Sequence, residues 1–256
     1  MTFEPRTRLD GKTAIISGGT GAIGLATAQR LASLGACCVL LYRKDQGHAD
    51  GLAGQLPADG PGQRHGAVFA EITDSATLRH AAAVVAQRYG RCDILVNSAG
   101  FTKAVPAADL DALDDDLIDR LMQANFRGVL ATIRAFLPLL KASGDGLVAN
   151  VSSIAAFTGV GSNLAYVGAK AGLDVVGDAL AKALAPAVRV VSVSPGAVAS
   201  GFVPGRGEAF NNSAAATTPL GRIGQPDDVA AVIAALATSM RFITGTRIVV
   251  DGGRHL

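Results

Sequence analysis

The feature that most constrains the fold of this chain is its repeated alternation of a short apolar run with a longer amphipathic segment. Short apolar runs bounded by turn residues predict strands, and amphipathic segments of about ten residues or more predict helices. A helix between two strands makes a right-handed crossover, which places the strands parallel in one sheet. The predicted strands are Thr13–Ser17, Cys37–Tyr42, Ala67–Ala70, Ile94–Val96, Leu147–Val151, Val188–Val193 and Arg247–Val250. The predicted helices are Leu25–Leu34, Ser75–Tyr89, Leu113–Leu140, Leu164–Leu184 and Pro226–Thr238.

This alternation covers nearly the whole chain and defines the fold class. Of the 256 residues, 49% are hydrophobic and 17% are charged, so the chain can bury a large core. It contains no internal repeat and no break in pattern, and we therefore expect residues 1–256 to form one domain. The prediction is an α/β fold with a single doubly wound, Rossmann-type parallel sheet of about seven strands and helices on both faces. Ligands of such sheets bind beyond the carboxyl ends of the strands.

Charge, hydropathy and the metal-binding residue types argue against several functions. The formal net charge is +2 and the Lys and Arg residues are scattered, which predicts no nucleic-acid surface. No apolar run approaches the ~18 residues that cross a bilayer, and the N-terminus lacks the apolar core of a secretory signal. We therefore expect no membrane association and a cytoplasmic protein. The three cysteines and four histidines do not have metal-ligand spacing, which predicts no metal site.

A glycine-rich segment follows the first predicted strand. Ser17–Gly24 (SGGTGAIG) connects that strand to a helix. Glycines at such a position let the backbone turn sharply and approach a pyrophosphate, whose charge the helix N-terminus stabilises. A purely structural tight turn is the alternative, but the strand before the glycines and the helix after them favour a dinucleotide site.

Tyr166 and Lys170 form a candidate acid/base pair. They are four residues apart in a predicted helix, so their side chains share one face. An ammonium beside a phenol favours the phenolate, and we expect it to lower the pKa of Tyr166 from its ordinary value near ~10. Ser153 lies just past a predicted strand end, where its hydroxyl can hold a substrate oxygen. A surface helix pair is the alternative for the Tyr-x-x-x-Lys spacing taken alone.

These residues and several further motifs give the chain a similarity to a known family. It resembles the simple, single-domain branch of the short-chain dehydrogenase/reductase family, including members similar to 3-oxoacyl-carrier-protein reductases. The motifs that carry the resemblance are Gly11-Lys12, the glycine turn, Asn97-x-Ala99-Gly100, Asn125, Ser153, Tyr166-x-x-x-Lys170, Ser194-Pro195-Gly196, Pro219–Pro226, Asp228-Val229-Ala230 and Asp251-Gly252-Gly253. One departure is Ala22, which stands where the branch usually has the middle glycine of its turn.

The resemblance implies a nicotinamide-dependent oxidoreductase that transfers hydride between the cofactor and a carbonyl/alcohol pair. It implies that Tyr166 is the acid/base and that Lys170 lowers the Tyr166 pKa and hydrogen-bonds the nicotinamide ribose. Ser153 would polarise the substrate carbonyl, and Asn125 would hold a water that connects Lys170 to solvent. The cofactor contacts that it implies are Gly18, Thr20, Gly21, Ile23, Gly24, Arg43, Ile72, Asn97, Ala99, Gly100, Tyr166, Lys170, Pro195, Gly196, Val198 and Ser200.

The end of the second predicted strand bears on the choice of cofactor. NAD-preferring relatives place an Asp there to bind the ribose 2′-hydroxyl, whereas this chain has Tyr42 followed by Arg43 and Lys44. A guanidinium on a 2′-phosphate contributes about 1.5–3 kcal/mol as a charge-assisted hydrogen bond. The hypothesis is NADP(H), and two solvated surface cations are the alternative.

The substrate loop is expected around residues 200–218. It contains Phe202, Val203, Pro204 and Phe210 and no paired cations, which favours an apolar or modestly polar small-molecule carbonyl or alcohol over a phosphorylated one. Two alternatives stay open: an NAD-dependent sugar, polyol or sterol alcohol dehydrogenase, and a non-catalytic NAD(P)-sensing regulatory protein. Relatives usually form tetramers through the helices predicted at 113–140 and 164–184, so we expect a homotetramer.

Overall fold

The sheet is the central layer of the computed structural model, which describes residues 7–60 and 62–256. All of its seven strands are parallel and lie in the order β3-β2-β1-β4-β5-β6-β7. The strands are β1 Thr13–Ser17, β2 Cys37–Tyr42, β3 Gly66–Phe69, β4 Ile94–Asn97, β5 Gly146–Val151, β6 Val188–Pro195 and β7 Thr246–Val250. The predicted Rossmann-type sheet is therefore confirmed. The order reverses between β1 and β4, where such sheets open a crevice for ligands.

Helices cover both faces of this sheet. They are α1 Ala22–Ser33, α2 Gln46–Gly54, α3 Ser75–Tyr89, α4 Asp115–Met122, α5 Gly128–Ala142, α6 Ala155–Thr158, α7 Leu164–Leu184, α8 Glu208–Ala216 and α9 Pro226–Thr238. Helices α1, α2 and α9 pack on one face, and α3, α5 and α7 pack on the other. Successive strand residues alternate between the two cores: Ile16 and Leu40 join the first, and Ile15 and Val39 join the second.

Two helix predictions differ from the structure at the boundaries. Helix α1 begins at Ala22, three residues before the predicted start, so the alanine that replaces the middle glycine has helical geometry and its methyl group is accommodated. The predicted helix Leu113–Leu140 consists of α4, a π-helical turn at Gln123–Arg127, and α5. Periodicity alone does not distinguish a π-turn from a continuous α-helix, because the apolar spacing changes by only one residue.

Three short helices were not predicted. Helix α2 contains Gly47, Gly51 and Gly54, which weaken helix propensity, but the Asp45 carboxylate caps it by accepting from the backbone N–H of His48. Helix α6 lies in a segment for which no element was predicted, and α8 lies in the segment expected to be the substrate loop. Helix α8 forms the second half of the predicted substrate loop and buries Ala214.

Candidate active site

A cavity of about 1250 Å³ opens at the carboxyl edge of the sheet and gathers most of the predicted site residues. It extends from the crevice between β1 and β4 to the segment that follows β6. The predicted residues that line it are Gly18, Thr20, Gly21, Ile23, Arg43, Ile72, Ala99, Gly100, Ser153, Tyr166, Lys170, Pro195, Gly196, Val198 and Ser200. The cavity volume exceeds the roughly 300–1,000 Å³ of common small-molecule sites, which leaves room for two ligands side by side.

The glycine turn is shaped for close approach of backbone to backbone. Gly18 has φ +65°, and a Cβ there would lie 2.8 Å from the backbone N and Cα of Ala99. A Cβ on Gly24 would lie 2.2 Å from the carbonyl oxygen of Gly18. The turn leads directly into α1, whose N-cap is Gly21, so the unpaired N–H groups of the first helical turn lie at the cavity. These residues fit the pyrophosphate of a dinucleotide.

Arg43, at the end of β2, lies at the far end of the same cavity. Its Nε is 3.6 Å from Oε2 of Glu71, which follows β3 and also lines the cavity. The other oxygen of Glu71 accepts from the backbone N–H of Thr73 at 3.2 Å, which fixes the carboxylate. The guanidinium is therefore present at the expected position but shares it with a carboxylate.

Tyr166 and Lys170 are held by the start of α7 and the end of β5. The Asn163 side chain caps α7 by accepting from the backbone N–H of Tyr166 at 2.7 Å. The Lys170 ammonium donates to the carbonyl of Val151 at 2.7 Å and lies 5.6 Å from the Tyr166 ring centroid. Both residues are buried apart from their cavity face.

The electrostatics of this pair differ from the sequence expectation. Burial raises the pKa of Tyr166 to about 12, although the Ser153 hydroxyl and the charge of Arg206 act in the opposite direction. Burial also lowers the pKa of Lys170 to about 8, against the effect of Asp174. The expectation of a lowered Tyr166 pKa was wrong for this arrangement, because the ammonium bonds a backbone carbonyl and desolvation outweighs the neighbouring groups.

Ser153 lies beside Tyr166, close enough for its hydroxyl to lower the pKa of the phenol. Its Oγ accepts from the backbone N–H of Ala155 at 3.1 Å, at the start of α6. This bond uses a lone pair of the hydroxyl and leaves the O–H able to donate into the cavity that Ser153 lines.

Asn125 lies in the π-turn and is fully buried. Its Nδ2 donates to the carbonyls of Phe101 and Leu121 at 2.9 and 3.0 Å, which uses both amide hydrogens. Its Oδ1 is buried without a partner among the described residues, and a Cβ on Gly100 would lie 2.5 Å from it. A buried acceptor of this kind is suited to bind an ordered water.

Three predicted residues, Gly24, Asn97 and Asn125, do not line the cavity. Gly24 gives the space for the turn to pack on α1. Asn97 donates from Nδ2 to Oδ1 of Asn150 at 2.9 Å, which connects β4 to β5 below the cavity floor. In this structure Gly24 therefore supports the site through the backbone and Asn97 supports it through a side-chain hydrogen bond. A direct contact between either residue and a cofactor stays a prediction.

Several cavity residues were not predicted. Phe101, Arg206, Arg254 and His255 line the cavity together with the aromatic residues of the loop. Arg206 stood within the segment assigned to the substrate loop and was passed over because it is a single cation there. Arg254 follows the Asp251-Gly252-Gly253 motif directly.

A cavity that offers a phosphate-binding turn at one side and a buried phenol and lysine at the other defines a dinucleotide-dependent oxidoreductase. Residues 19–255 match the family model described as enoyl-(acyl carrier protein) reductase. The chain belongs to the short-chain dehydrogenase/reductase family, and it is an NAD(P)-dependent oxidoreductase.

Relatives across the family are similar to the chain over nearly its whole length. The D-threitol dehydrogenase of Mycolicibacterium smegmatis is 33% identical over 96% of this chain and 94% of its own. The 3-oxoacyl-[acyl-carrier-protein] reductase of Thermotoga maritima is 32% identical over 96% of this chain and 98% of its own. The crystal structure of a gluconate 5-dehydrogenase from Burkholderia cenocepacia, in complex with NADP and tartrate, has a TM-score of 0.87, is 28% identical, and covers 98% of this chain and 97% of its own.

Residues 7–60 and 62–256 also bear on metal binding and on membrane insertion. No group of three or more His, Cys, Asp and Glu side chains there could hold a metal ion. No helix in that part of the chain is both long and apolar enough to cross a bilayer.

Proposed function

We propose that the protein uses NADP(H) to interconvert a small-molecule carbonyl compound and its secondary alcohol, with Tyr166 as the acid/base. The observation that carries this proposal is that Ser153, Tyr166 and Lys170 line the same cavity as the glycine turn. One ligand bound at the turn and one at the phenol would thus meet without leaving the cavity.

Each residue has a role that its surroundings support. The bound nicotinamide would supply or accept the hydride. Tyr166 would give its phenolic proton to the substrate oxygen during reduction and take it back during oxidation. Ser153, whose O–H lies beside the phenol, would donate a hydrogen bond to the same oxygen and hold it at Tyr166.

Lys170 and Asn125 would move the proton onward. Lys170 uses one of its three N–H groups on Val151, so two remain for the nicotinamide ribose and for a water. The unpartnered Oδ1 of Asn125 would hold that water near the cavity wall formed by Gly100. Reprotonation of Tyr166 would then not need bulk water at the reacting carbon.

Arg43 supports the preference for NADP(H). It lines the cavity beyond the glycine turn, where a 2′-phosphate would add a charge-assisted pair. The complex of the gluconate 5-dehydrogenase relative contains NADP, which agrees with this assignment.

A second candidate, an NAD-dependent alcohol or polyol dehydrogenase, is favoured by Glu71. Its carboxylate lies 3.6 Å from the Arg43 guanidinium, where it would partly neutralise the cation and could accept from a ribose hydroxyl. The D-threitol dehydrogenase relative acts on a polyol, as its name states.

The decisive experiment combines cofactor titration with a substrate panel. Binding of NADPH and NADH is measured by nicotinamide fluorescence, and both cofactors are then assayed against ketones, oxo acids, sugars and alcohols. Tighter binding of NADPH and loss of turnover in Tyr166→Phe on every active substrate would support the proposal. Equal or tighter binding of NADH would support the second candidate, and unchanged turnover in Tyr166→Phe would exclude the proposed acid/base.

A homotetramer in the cytoplasm completes the proposal. Helix α7 has a largely buried face, but its Val175 is 66% exposed in the single chain, which suits a helix that packs on another subunit. Light scattering at micromolar concentration tests the assembly, and cell fractionation tests the location. A monomeric mass would contradict the first.

A further inference from the structure

Two arginines from distant parts of the sequence line the cavity on the side of Tyr166. Arg206 lies in the segment between β6 and α8, and Arg254 lies after β7, near the C-terminus. Arg254 is anchored by Nη1, which donates to the carbonyl of Ala214 at 2.9 Å and to Oγ1 of Thr217 at 2.6 Å. The C-terminal segment is thereby attached to the end of α8, and both arginines line the cavity.

Neither of these guanidinium groups has a carboxylate partner among the described residues. Of the other basic side chains of the cavity, Arg43 lies beside Glu71 and His255 bonds Asp251 at 2.8 Å, whereas Arg120 and Lys170 donate to backbone carbonyls. The hydrogen bonds of Arg254 all leave from Nη1, so its Nε and Nη2 are free to donate.

Arg206 makes a stacking contact instead of an ion pair. Its guanidinium carbon lies 4.2 Å from the centroid of the Phe210 ring. Phe210 and Ala214, which Arg254 bonds, are one helical turn apart on α8, so the two cations approach the same part of this helix. Burial and the charge of Arg254 both lower the pKa of Arg206, which agrees with this placement. An anion between them would stabilise both cations and supply the missing acceptor.

The wall between the arginines and the phenol is aromatic. The Phe202 ring centroid lies 6.0 Å from that of Tyr166, and Phe210 lies under Arg206. Arg206 and Tyr166 both line the cavity, so the cation and the acid/base face the same space. This wall suits a carbon skeleton that has an oxygen to be protonated at one end and a negative charge at the other.

We infer that Arg206 and Arg254 bind the carboxylate of the substrate, and that the substrate is an oxo or hydroxy carboxylic acid whose reacting carbon is presented to Tyr166. This inference rests on the proposed function and names its substrate class. It replaces the expectation of an apolar or modestly polar substrate, which considered the loop without the C-terminal segment.

The test compares pairs of substrates that differ only in charge. The holoenzyme is assayed with NADPH against levulinate and 4-oxocyclohexanecarboxylate, and against the methyl ester of each. We expect kcat/KM for at least one acid to exceed that of its ester by tenfold or more, because a charge-assisted pair of hydrogen bonds discriminates by about tenfold to a hundredfold. Arg206→Gln and Arg254→Gln should each lower this acid-to-ester ratio by at least tenfold.

Matched controls separate charge from folding. Arg79→Gln makes the same change on the exposed face of α3, outside the cavity lining, and should leave the ratio unchanged. Arg254→Gln also removes bonds that hold α8, whereas Arg206→Gln removes only a stacking contact, so the latter variant tests the inference even if the former is unstable. The carboxylate site would be overturned by equal kcat/KM for acid and ester, or by an acid-to-ester ratio that Arg206→Gln does not change. A preference for dihydroxyacetone phosphate over the acids would also overturn it.

A binding measurement makes the two proposals distinguishable. The Tyr166→Phe protein is saturated with NADP+ and titrated calorimetrically with each acid, with and without Arg206→Gln. If Arg206→Gln weakens the binding of an acid to the Tyr166→Phe protein at least tenfold, the carboxylate site is supported. This holds even if turnover shows that Tyr166 is not the acid/base. Equal binding of the acids by both proteins overturns the carboxylate site and leaves the proposed chemistry intact.

Discussion

The Lys170 ammonium donates to the carbonyl oxygen of Val151 at 2.7 Å, at the last residue of β5. The side chain is therefore anchored to the sheet edge and buried beside Tyr166, with its Nζ 5.6 Å from the phenol ring centroid. Burial without a carboxylate in direct contact destabilises the protonated form of this lysine and lowers its pKa to about 8.

The lowered pKa of Lys170 predicts a pH-dependent stability. Below pH 8 Lys170 is protonated in both the folded and the unfolded state, and burial of its charge destabilises the fold. Between the folded pKa of about 8 and the unfolded value of 10.5, Lys170 is neutral in the folded state but still protonated in the unfolded state. Stability therefore rises with pH in this range. Relative to Lys170→Met, the free energy of unfolding of the wild type should rise by about 2 kcal/mol between pH 7 and 9.5. Urea unfolding of both proteins at the two pH values measures it. If the difference in free energy of unfolding between the wild type and Lys170→Met were the same at both pH values, the ammonium would be solvated in the folded state.

Gly18→Ala should weaken cofactor binding. The residue has φ +65° and its new Cβ would lie 2.8 Å from the backbone of Ala99, so the turn has to move. We expect the Kd for NADPH to increase by about tenfold or more. The matched control is Gly51→Ala in α2, where nothing lies within 4 Å of the new Cβ; it should bind normally and be more stable by about 0.5–1 kcal/mol. Normal NADPH binding by Gly18→Ala would contradict the assignment of the glycine turn as the cofactor site.

Glu71→Gln should tighten NADPH binding. The substitution removes a negative charge 3.6 Å from Arg43 but keeps an oxygen that can accept from Thr73. Exposed pairs of this kind are worth about 0.2–1 kcal/mol, so the Kd for NADPH should fall by up to roughly fivefold while that for NADH does not fall. Asp111→Asn, an exposed site outside the cavity, controls for net charge. Equal tightening of both cofactors would contradict a specific effect on the 2′-phosphate.

Arg206→Gln should shift the pH profile of alcohol oxidation to higher pH. The Arg206 charge lowers the pKa of Tyr166, and oxidation needs the phenolate as its base, so removal of the cation raises the pKa. The measurement is kcat against pH with a neutral secondary alcohol and NADP+. Arg79→Gln should leave the profile in place. A profile that is unchanged in Arg206→Gln would show that the cation does not act on Tyr166.

Much of the fold could be read from local pattern. The strands β1 and β2 and the helices α3, α7 and α9 have the predicted bounds, because each combines an apolar run or stripe with a clear turn or cap. Helices α2 and α8 were missed because glycine content and a loop-like position outweigh their weak apolar stripes. The π-turn around Asn125 was missed because it changes the backbone register without changing the residue pattern.

The sequence by itself determined the family, the sheet, and the presence of Ser153, Tyr166 and Lys170 at one sheet edge. These are local motifs whose spacing is set by a strand end or a helical turn. Only the tertiary structure decided the surroundings of those residues: the bond from Lys170 to Val151, the carboxylate beside Arg43, and the contacts of Arg206 and Arg254 with the same helix, α8. Burial and charge pairing depend on chain segments far apart in sequence, and no periodicity relates such segments before they pack.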